Sequence, residues 1–290
     1  MYFNKPMQIK SVAILGNLKA GKGKSNDLAI WLNKQLLLKQ IESVIFLEQW
    51  PLAEALDTFT DCWIIGGDGT INYFINKYPN CSLPLALFSG GTGNDFAWKL
   101  YGETTYKEQF EYVLNAKPKS IDAGKVNNHL FINCLGIGFD GEIIQSMKAI
   151  RFLGGVLGYQ LAVLYKILGF KEKTITINAG NETWKEKFLL VLIVNSSRAG
   201  AGFYIAPTAE VNDGLLNMVL CKKLPIWKRL KYLPIIKKGK HLHYPFVVHR
   251  LGEQFSIESK SVLPIQMDGE LFYSNHLKVE VLPNKFLFRY

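Results

Sequence analysis

The sequence lacks the cysteine and histidine patterns of a zinc or redox site. Its four cysteines are widely scattered, no two of them form a CxxC pair, and their spacings do not suggest a disulfide framework. The five histidines show no HxxxH spacing. Unpaired cysteines predict a reducing, cytoplasmic compartment. The cysteines are Cys62, Cys81, Cys134 and Cys221.

Long apolar runs are also missing. The longest, residues 156–170 and 188–194, fall short of the roughly 18–20 residues that a membrane-spanning helix needs, and Lys166 interrupts the first. Residues 1–10 show no basic region followed by a long apolar core, so we expect no secretory signal. If the protein meets a membrane, we expect it to do so from one side.

Acidic residues are absent from one long stretch. The 290 residues include 34 Lys and Arg against 24 Asp and Glu, a net charge of +10. Residues 221–250 hold nine of the basic residues and none of the acidic ones, which leaves 25 basic and 24 acidic residues elsewhere. Such a stretch attracts a polyanion, whether nucleic acid, an anionic membrane surface or phosphates. The nine are Lys222, Lys223, Lys228, Arg229, Lys231, Lys237, Lys238, Lys240 and Arg250.

The first part of the chain alternates short apolar runs with segments of helical spacing. Glycine-rich loops follow three of these runs. This order predicts an α/β domain with a doubly wound, Rossmann-like parallel sheet that binds ligands beyond the carboxyl ends of its strands. The predicted strands are residues 11–16, 44–47, 62–65 and 85–88, and the predicted helices are residues 27–40, 51–58 and 71–76, with another after residue 95.

After Asp122 strands follow strands, which predicts an antiparallel β-sandwich. The first is a hairpin that turns at Asn127 and Asn128. One helical interruption is expected over residues 143–169. We therefore expect two domains, over residues 1–122 and 123–282, with residues 283–290 packing back on the first. The other predicted strands are two within residues 174–194, on either side of residues 179–181, and residues 215–221, 255–258, 263–267 and 277–282.

The first glycine loop follows the strand at 11–16. Gly16, Gly21 and Lys22 fit the G-x-x-x-x-G-K pattern of a phosphate-binding P-loop, but Gly23 stands where a Ser or Thr should bind Mg²⁺. The loop is either a flexible lysine-rich turn or a phosphate site. As a phosphate site it would offer backbone N–H groups and Lys19, Lys22 or Lys24.

The second and third glycine loops are residues 66–70 and 90–95. In the second, three glycines surround Asp68, so the backbone can approach a phosphate chain while the carboxylate stays close enough to bind its Mg²⁺. A Gly-Asp-Gly turn alone is common, but this one follows a buried-looking strand and opens a helix. We expect the two loops to lie side by side at one edge of the sheet.

These loops carry a family resemblance. Residues 66–70 (GGDGT), followed by Asn72, and residues 91–97 (GTGNDFA) resemble motifs of the diacylglycerol kinase catalytic family, which includes bacterial soluble lipid kinases and sphingosine kinases. Residues 17–24 (NLKAGKGK) are similar to that family's NPxSGxG loop. The resemblance spans most of the chain and implies a nucleotide-binding domain followed by a lipid-substrate domain. It continues in the family's order through residues 121–124, 133–140, 206–209, 213–215 and 266–270.

The chain departs from the family pattern at four places. Leu18 replaces a Pro, Tyr73 stands where Glu is common, Ser89 and Gly90 replace Pro-Leu, and Asn212 replaces the first Asp of a pair. None removes a residue that phosphoryl transfer needs, but each can alter nucleotide fit, substrate choice or metal affinity.

The resemblance implies ATP and Mg²⁺ as cofactors. Asp68, with Asp122 nearby, would organise Mg²⁺ at the phosphates, and Glu270 would be the general base for the lipid hydroxyl. Asp213, with main-chain oxygens of Glu210 and Leu215, would bind a structural Mg²⁺. Without the resemblance, Glu270 and Asp213 would be interpreted as ordinary residues at Asp-Gly turns. The nucleotide-binding residues implied by the resemblance are Asn17, Lys19, Ala20, Gly21, Lys22, Gly23, Gly66, Gly67, Asp68, Gly69, Thr70, Ile71, Asn72, Tyr73, Thr92, Asn94 and Asp95.

The basic stretch mixes large apolar residues with cations at helical spacing between residues 226 and 236. It is either a solvated basic helix or an interfacial element that inserts Trp227, Leu230 and Leu233 while its cations meet anionic headgroups. The interleaved apolar residues favour an anionic membrane surface as the partner of residues 222–250. Nucleic acid is not expected, because no base-stacking or readout motif accompanies the charge.

The sequence therefore predicts an ATP- and Mg²⁺-dependent lipid kinase that is cytoplasmic and peripherally membrane-associated. Its substrate would be a hydroxyl of diacylglycerol or a related lipid, and we expect residues 143–169 to help form the lipid cleft. A soluble-substrate kinase such as NAD kinase has a related fold and GGDGT loop, but residues 266–270 (QMDGE) speak against it. A catalytically silent lipid- or nucleotide-binding protein is the third hypothesis, with Tyr73 and Ser89 as signs of lost activity.

Overall fold

A computed structural model describes residues 8–17, 24–91, 93–149 and 155–290. The chain divides into two compact units. The first comprises Met1–Ile121 and Asn284–Tyr290, and the second comprises Asp122–Pro283. Both boundaries between the two units fall inside a strand.

The first unit contains a parallel sheet with the strand order β2, β1, β3, β4. Ile14 of β1 lies opposite Ile45 on one side and Trp63 on the other. The elements are β1 (Ser11–Gly16), α1 (Lys24–Leu38), β2 (Glu42–Phe46), α2 (Ala53–Leu56), β3 (Asp61–Gly66), α3 (Asp68–Lys77), β4 (Pro84–Ser89), α4 (Asp95–Tyr101), α5 (Tyr106–Asn115) and the start of β5 (Pro118–Val126).

Strands β1, β3 and β4 are buried along nearly their whole length because helices cover the sheet. Leu32 and Leu36 of α1 pack with Trp63 and Phe110 in the core of this unit. The carboxyl-terminal residues of the chain add to it, since Leu287 and Phe288 pair with the start of β4. Arg289 is buried there in an ion pair with Asp61.

The second unit is dominated by antiparallel pairs. The strand order is β13, β12, β9, β7, β14, β15, and β8 pairs with both β9 and β14. Its elements are the end of β5, β6 (His129–Phe131), β7 (Cys134–Ile137), α6 (Phe139–Ala149), α7 (Gly155–Gly169), β8 (Lys173–Ala179), β9 (Glu182–Val194), β10 (Arg198–Ala199), β11 (Phe203–Tyr204), β12 (Leu216–Lys222), α8 (Ile226–Lys237), β13 (Val247–Gly252), β14 (Gln254–Met267) and β15 (Glu270–Arg289).

Alternation in these strands builds one large core. Phe131, Ile193, Met218 and Ile265 meet in it, and each belongs to a different strand. The two-residue turn at Asn127 and Asn128 joins β5 to β6, as the sequence predicts, with Val126 paired to His129. Asn127 has a φ of 51°, which asparagine tolerates better than most residues.

The predicted fold class, an α/β domain followed by an antiparallel β domain, is confirmed. Several details differ. The predicted helix over residues 143–169 is two helices, α6 and α7. Residues 255–258 and 263–267 belong to the single strand β14, which contains a register shift between Glu258 and Leu263. Helix α5 and the strands β7, β10, β11 and β13 were not predicted. Among the described helices, none combines the length and apolar character needed to cross a membrane.

Candidate active site

The two glycine loops that follow β3 and β4 pack directly against each other. Gly90 donates its backbone N–H to the Gly66 carbonyl at 2.9 Å. A Cβ on Gly91 would lie 2.5 Å from the Gly67 Cα, closer than any real Cβ contact allows. The expectation that these loops lie side by side is therefore confirmed, and the glycines are needed because one backbone lies against the other.

Asp68 lies at the first position of α3, where it also contacts the start of α4. Its two carboxylate oxygens accept the backbone N–H groups of Asp95 (3.2 Å) and Phe96 (3.1 Å). An ionised carboxylate is a hard oxygen donor of the type that Mg²⁺ binds. The residues present at this loop therefore fit the Mg²⁺ that the sequence predicts.

The other predicted nucleotide contacts of this region include one loop-closing side chain and one buried side chain. Asn94 lies at the N-cap of α4 with a φ of 52°, and its side chain closes the loop by bonding both N–H and C=O of Gly91. Ile71 is completely buried, so its side chain is not offered to a ligand. Lys19, Ala20, Gly21, Lys22, Gly23 and Thr92, together with the departure Leu18, lie outside the described residues.

A cleft of about 770 Å³ lies where β1 ends and α3 begins. It is large enough for a nucleotide, since ligand sites typically measure roughly 300–1,000 Å³. It brings together three predicted nucleotide contacts, Asn17, Thr70 and Tyr73. Trp50, which the sequence did not identify, forms one wall. Its indole N–H donates to the Gly16 carbonyl at 2.9 Å, and its ring meets that of Tyr73 edge-on at 5.1 Å between centroids.

In the second unit, Asp122 is bound to the loop that was predicted to hold a structural cation. Its Oδ2 accepts the backbone N–H of Gly214 at 2.7 Å, and its own N–H donates to the Val211 carbonyl at 2.7 Å. Asp213 Oδ1 accepts the N–H of Leu215 at 3.0 Å. The described residues contain no cluster of three or more His, Cys, Asp or Glu side chains suited to a metal. A site built from carbonyls of Glu210 and Leu215 and one carboxylate stays a prediction.

Glu270 begins β15, directly after the turn formed by Asp268 and Gly269. Its side chain is exposed, so it is accessible to a substrate. Asp268 is buried and accepts three backbone N–H groups. Asp268 was not identified from the sequence, although its place in the same motif as Glu270 was the available signal.

An apolar cavity of about 70 Å³ lies beneath α6, α7 and α8. Ile143 and Val163, both within the segment predicted to form a lipid cleft, line it together with Leu233. The lining includes one carboxyl group, Asp140. Burial raises the pKa of Asp140 to about 6, and a hydrogen bond to Gln266 opposes that rise.

Comparison with known proteins shows the family of this chain. Residues 11–126 match the diacylglycerol kinase catalytic domain, and residues 133–287 match the YegS C-terminal NAD kinase beta sandwich-like domain. The chain belongs to this diacylglycerol kinase and YegS family. The family resemblance inferred from the glycine loops is thereby confirmed, and the protein is a kinase-type enzyme.

Two curated proteins illustrate the likeness to this lipid kinase family. The chain is 29% identical over 230 residues to "Probable lipid kinase YegS-like" of Shewanella frigidimarina, covering 77% of this chain and 74% of the other. It is 24% identical over 209 residues to "Diacylglycerol kinase" of Bacillus subtilis, covering 71% and 69%. A crystal structure of a diacylglycerol kinase from Bacillus anthracis shares the fold, with a TM-score of 0.74, 20% identity and 97% coverage of both chains.

The basic stretch of this family member differs from the expectation at several residues. Arg229 does not face solvent and cannot meet headgroups, so that part of the prediction is wrong. It lies on the inward face of α8, where it bonds three carbonyls and Glu172. Leu233 is half-buried and packs inwards instead of being free to insert. Lys222 and Arg250 form ion pairs with Glu186 and Glu182.

Proposed function

We propose that the protein is an ATP- and Mg²⁺-dependent lipid kinase that phosphorylates a hydroxyl of diacylglycerol or a related lipid at the membrane surface. One observation carries the proposal. The paired glycine loops hold Asp68 at the starts of two helices, and Thr70 in the same turn of α3 lines a cleft of about 770 Å³. Helix starts favour anions because their N–H groups are unpaired and the helix dipole is positive there.

The cleft supports ATP as the phosphoryl donor. Trp50 and Tyr73 offer an aromatic wall, and Tyr73 is 56% exposed. Lys77 lies 5.8 Å from the Tyr73 ring centroid and adds a cation at the same wall. An aromatic side chain in place of the family's common Glu at position 73 suits stacking on a nucleobase, which requires no charge. The departure is therefore compatible with activity and does not require a silent protein.

In the proposed reaction, the protein aligns the reactants and accepts one proton. The lipid hydroxyl oxygen bonds to the γ-phosphorus, the bond between that phosphorus and the β-bridging oxygen breaks, and ADP leaves. Glu270 takes the hydroxyl proton as the new bond forms. Mg²⁺, when bound, neutralises charge on the phosphate oxygens and aligns the transferred group. Asp68 is the carboxylate that would hold it.

The test is transfer of labelled γ-phosphate from ATP to lipid by purified protein. Glu270→Gln should lower the rate by about a hundredfold or more, because a positioned general base contributes roughly 10²–10⁴ in rate. The matched control is Glu280→Gln, a half-buried carboxylate on the same strand that pairs with Lys125. The control should retain the wild-type rate. Wild-type transfer by the Glu270 variant would refute the role of the base.

The apolar cavity supports a lipid acceptor. It is lined by Phe139, Ile143, Val163 and Leu233, with Asp140 as the polar group. At about 70 Å³ it is too small for an acyl chain, since ligand sites typically exceed roughly 300 Å³. An acyl chain can therefore enter only if this cavity widens. Replacing Val163 with Trp should raise the lipid KM while leaving the ATP KM unchanged, which steady-state kinetics would show.

The outer faces of α7 and α8 support action at a membrane. Large apolar side chains are exposed on both helices, and lysines of α8 lie among them. Helices of this kind bind anionic bilayers because their apolar side chains become buried in the membrane and their cations are attracted to the headgroups. The exposed apolar residues are Leu161, Leu164, Tyr165 and Leu168 of α7 and Ile226, Trp227 and Leu230 of α8.

Vesicle sedimentation tests this surface. The variant Lys228→Ala/Lys231→Ala should bind phosphatidylglycerol vesicles about thirtyfold more weakly, since each cation near the surface is worth roughly 1 kcal/mol. The matched control is Lys185→Ala/Lys187→Ala, which removes the same charge from exposed positions of β9. Equal loss in both variants would show nonspecific charge attraction. Unchanged binding of the α8 variant would refute the surface.

A soluble-substrate kinase remains the second candidate because the matched carboxyl-terminal domain is described as NAD kinase-like. The apolar cavity and the exposed apolar faces favour the lipid. A direct assay with NAD as the acceptor separates the two, since a lipid kinase should label lipid and leave NAD unlabelled.

A further inference from the structure

The turn that precedes Glu270 carries a buried carboxylate that the proposed reaction does not use. Met267 pairs with Glu270 across β14 and β15, so Asp268 and Gly269 form a two-residue hairpin loop. Both have positive φ values, 48° and 91°, which are typical of a type I′ turn. Asp268 is only 3% exposed, whereas Glu270 is exposed. The turn therefore places one carboxylate inside the unit and the next one outside.

Three successive backbone N–H groups bind the Asp268 carboxylate. Its Oδ2 accepts from Ile132 at 2.8 Å, and its Oδ1 accepts from Asn133 at 3.0 Å and from Cys134 at 2.8 Å. The Asp268 N–H donates in turn to the Cys134 carbonyl at 2.9 Å. Hydrogen bonds to an ionised acceptor are roughly twice as strong as neutral ones. These four bonds fix both the position and the orientation of the turn.

The segment that binds Asp268 is also connected to Asp122. The Asn195 side-chain amide donates to the Ile132 carbonyl at 3.0 Å and to the Asp122 carbonyl at 2.9 Å. Asp122 in turn accepts the N–H of Gly214 at 2.7 Å. Asn195 and Asp122 are completely buried. One buried network thus joins the Glu270 turn, Asp122 and the loop predicted to hold a structural cation.

We propose that Asp268 is a positioning residue that sets where Glu270 meets the acceptor hydroxyl. This inference rests on the proposed function, because it takes Glu270 as the proton acceptor. The side chain of Glu270 is exposed, so its reach is set by the backbone of the turn that carries it. A displacement of about 1 Å at a reacting group can cost on the order of a hundredfold in rate. Asp268 acts only through Glu270 and touches no substrate.

The variant Asp268→Asn tests this role. It keeps the shape of the side chain but puts an amide N–H group against one of the three backbone donors. We expect kcat to fall about ten- to a hundredfold, with both KM values within about twofold of the wild type. In a Glu270→Gln background the same change should have no further effect on the residual rate, because the positioned group is already gone. The matched control is Asp61→Asn, a buried carboxylate of the first unit. It weakens the ion pair with Arg289 and should lower the melting temperature, but kcat measured well below that temperature should stay within about twofold.

A second variant applies if Asp268→Asn does not fold. Gln266 Oε1 accepts the N–H of Gly269 at 3.0 Å and so holds the other residue of the turn. Gln266→Met should lower kcat about three- to tenfold, again with no further effect in the Glu270→Gln background.

The outcomes distinguish this inference from the proposed function. Loss of activity in Glu270→Gln together with multiplicative losses in the double variants would overturn the positioning role alone. An unchanged kcat for both Asp268→Asn and Gln266→Met would do the same. Wild-type transfer by Glu270→Gln, or no lipid labelling by the wild type, would overturn the proposed function and this inference with it.

Discussion

Replacing Arg229 should lower the stability of the protein and should not weaken its attraction to a membrane. The guanidinium donates to the carbonyls of Leu224 (2.8 Å), Ile167 (2.9 Å) and Phe170 (3.0 Å) and to Glu172 Oε1 (2.6 Å). The two charged side chains are only 6% and 5% exposed. The pair therefore joins α8 to the end of α7 from inside the unit.

The size of the effect follows from these contacts. Arg229→Met leaves the Glu172 carboxylate buried without its partner, and breaking a buried pair in this way costs about 3–5 kcal/mol. For a unit of this size, each 1 kcal/mol lowers the melting temperature by roughly 2–4 °C. We therefore expect a decrease of about 6–20 °C. The neighbouring change Lys228→Met removes the same charge from a partly exposed position and should alter stability by less than about 0.5 kcal/mol.

Thermal melts and urea unfolding of both variants measure this difference. The double variant Arg229→Met/Glu172→Met should recover part of the loss, because no uncompensated charge then remains buried. An Arg229→Met protein that melts within about 2 °C of the wild type would refute the reasoning. It would mean that the guanidinium is solvated and free to meet headgroups.

Three further changes have definite expected outcomes. Burial lowers the pKa of His241 to about 4, below its usual 6.5, so the unfolded chain binds the proton first as the pH falls. The free energy of unfolding should therefore decrease by up to about 3 kcal/mol between about pH 6.5 and pH 4. His241→Gln should flatten this pH profile, which urea titrations at several pH values would measure. Gly91→Ala should raise the ATP KM at least about tenfold, because its Cβ would meet the Gly67 Cα at 2.5 Å; an unchanged KM would contradict the paired-loop site. Arg289→Met should cost about 3–5 kcal/mol by leaving Asp61 buried and unpaired, and a melting curve like that of the wild type would argue against this ion pair.

The sheet of the first unit could be predicted because its strands are nearly continuous apolar runs that end in glycine. β1 and β3 are buried as their composition indicates. Close approach of the loops was also predictable, since Gly66 and Gly67 leave no side chain between two backbones. Helix α5 was missed, although Thr105 and Glu108 form a capping box that its sequence spacing would have indicated.

The orientation of α8 could not be predicted from its pattern of residues. Periodicity places large apolar side chains inwards and cations outwards. Here Ile226 and Trp227 are exposed while Arg229 is buried. The reversal depends on carbonyls at the end of α7 and on Glu172, which are distant in the sequence. Trp50 was missed for the same reason, because only the folded chain brings it to Tyr73.

The central claim is that this protein transfers the γ-phosphate of ATP to a lipid hydroxyl with Glu270 as the base. Its most direct test is incubation of wild type and Glu270→Gln with labelled ATP, Mg²⁺ and mixed vesicles of phosphatidylglycerol and diacylglycerol, followed by separation of the lipids. The account predicts a labelled lipid with the wild type and a rate of lipid labelling that is lower by about a hundredfold or more with the variant. Labelled NAD but no labelled lipid in a parallel reaction, or equal lipid labelling by both proteins, would contradict it.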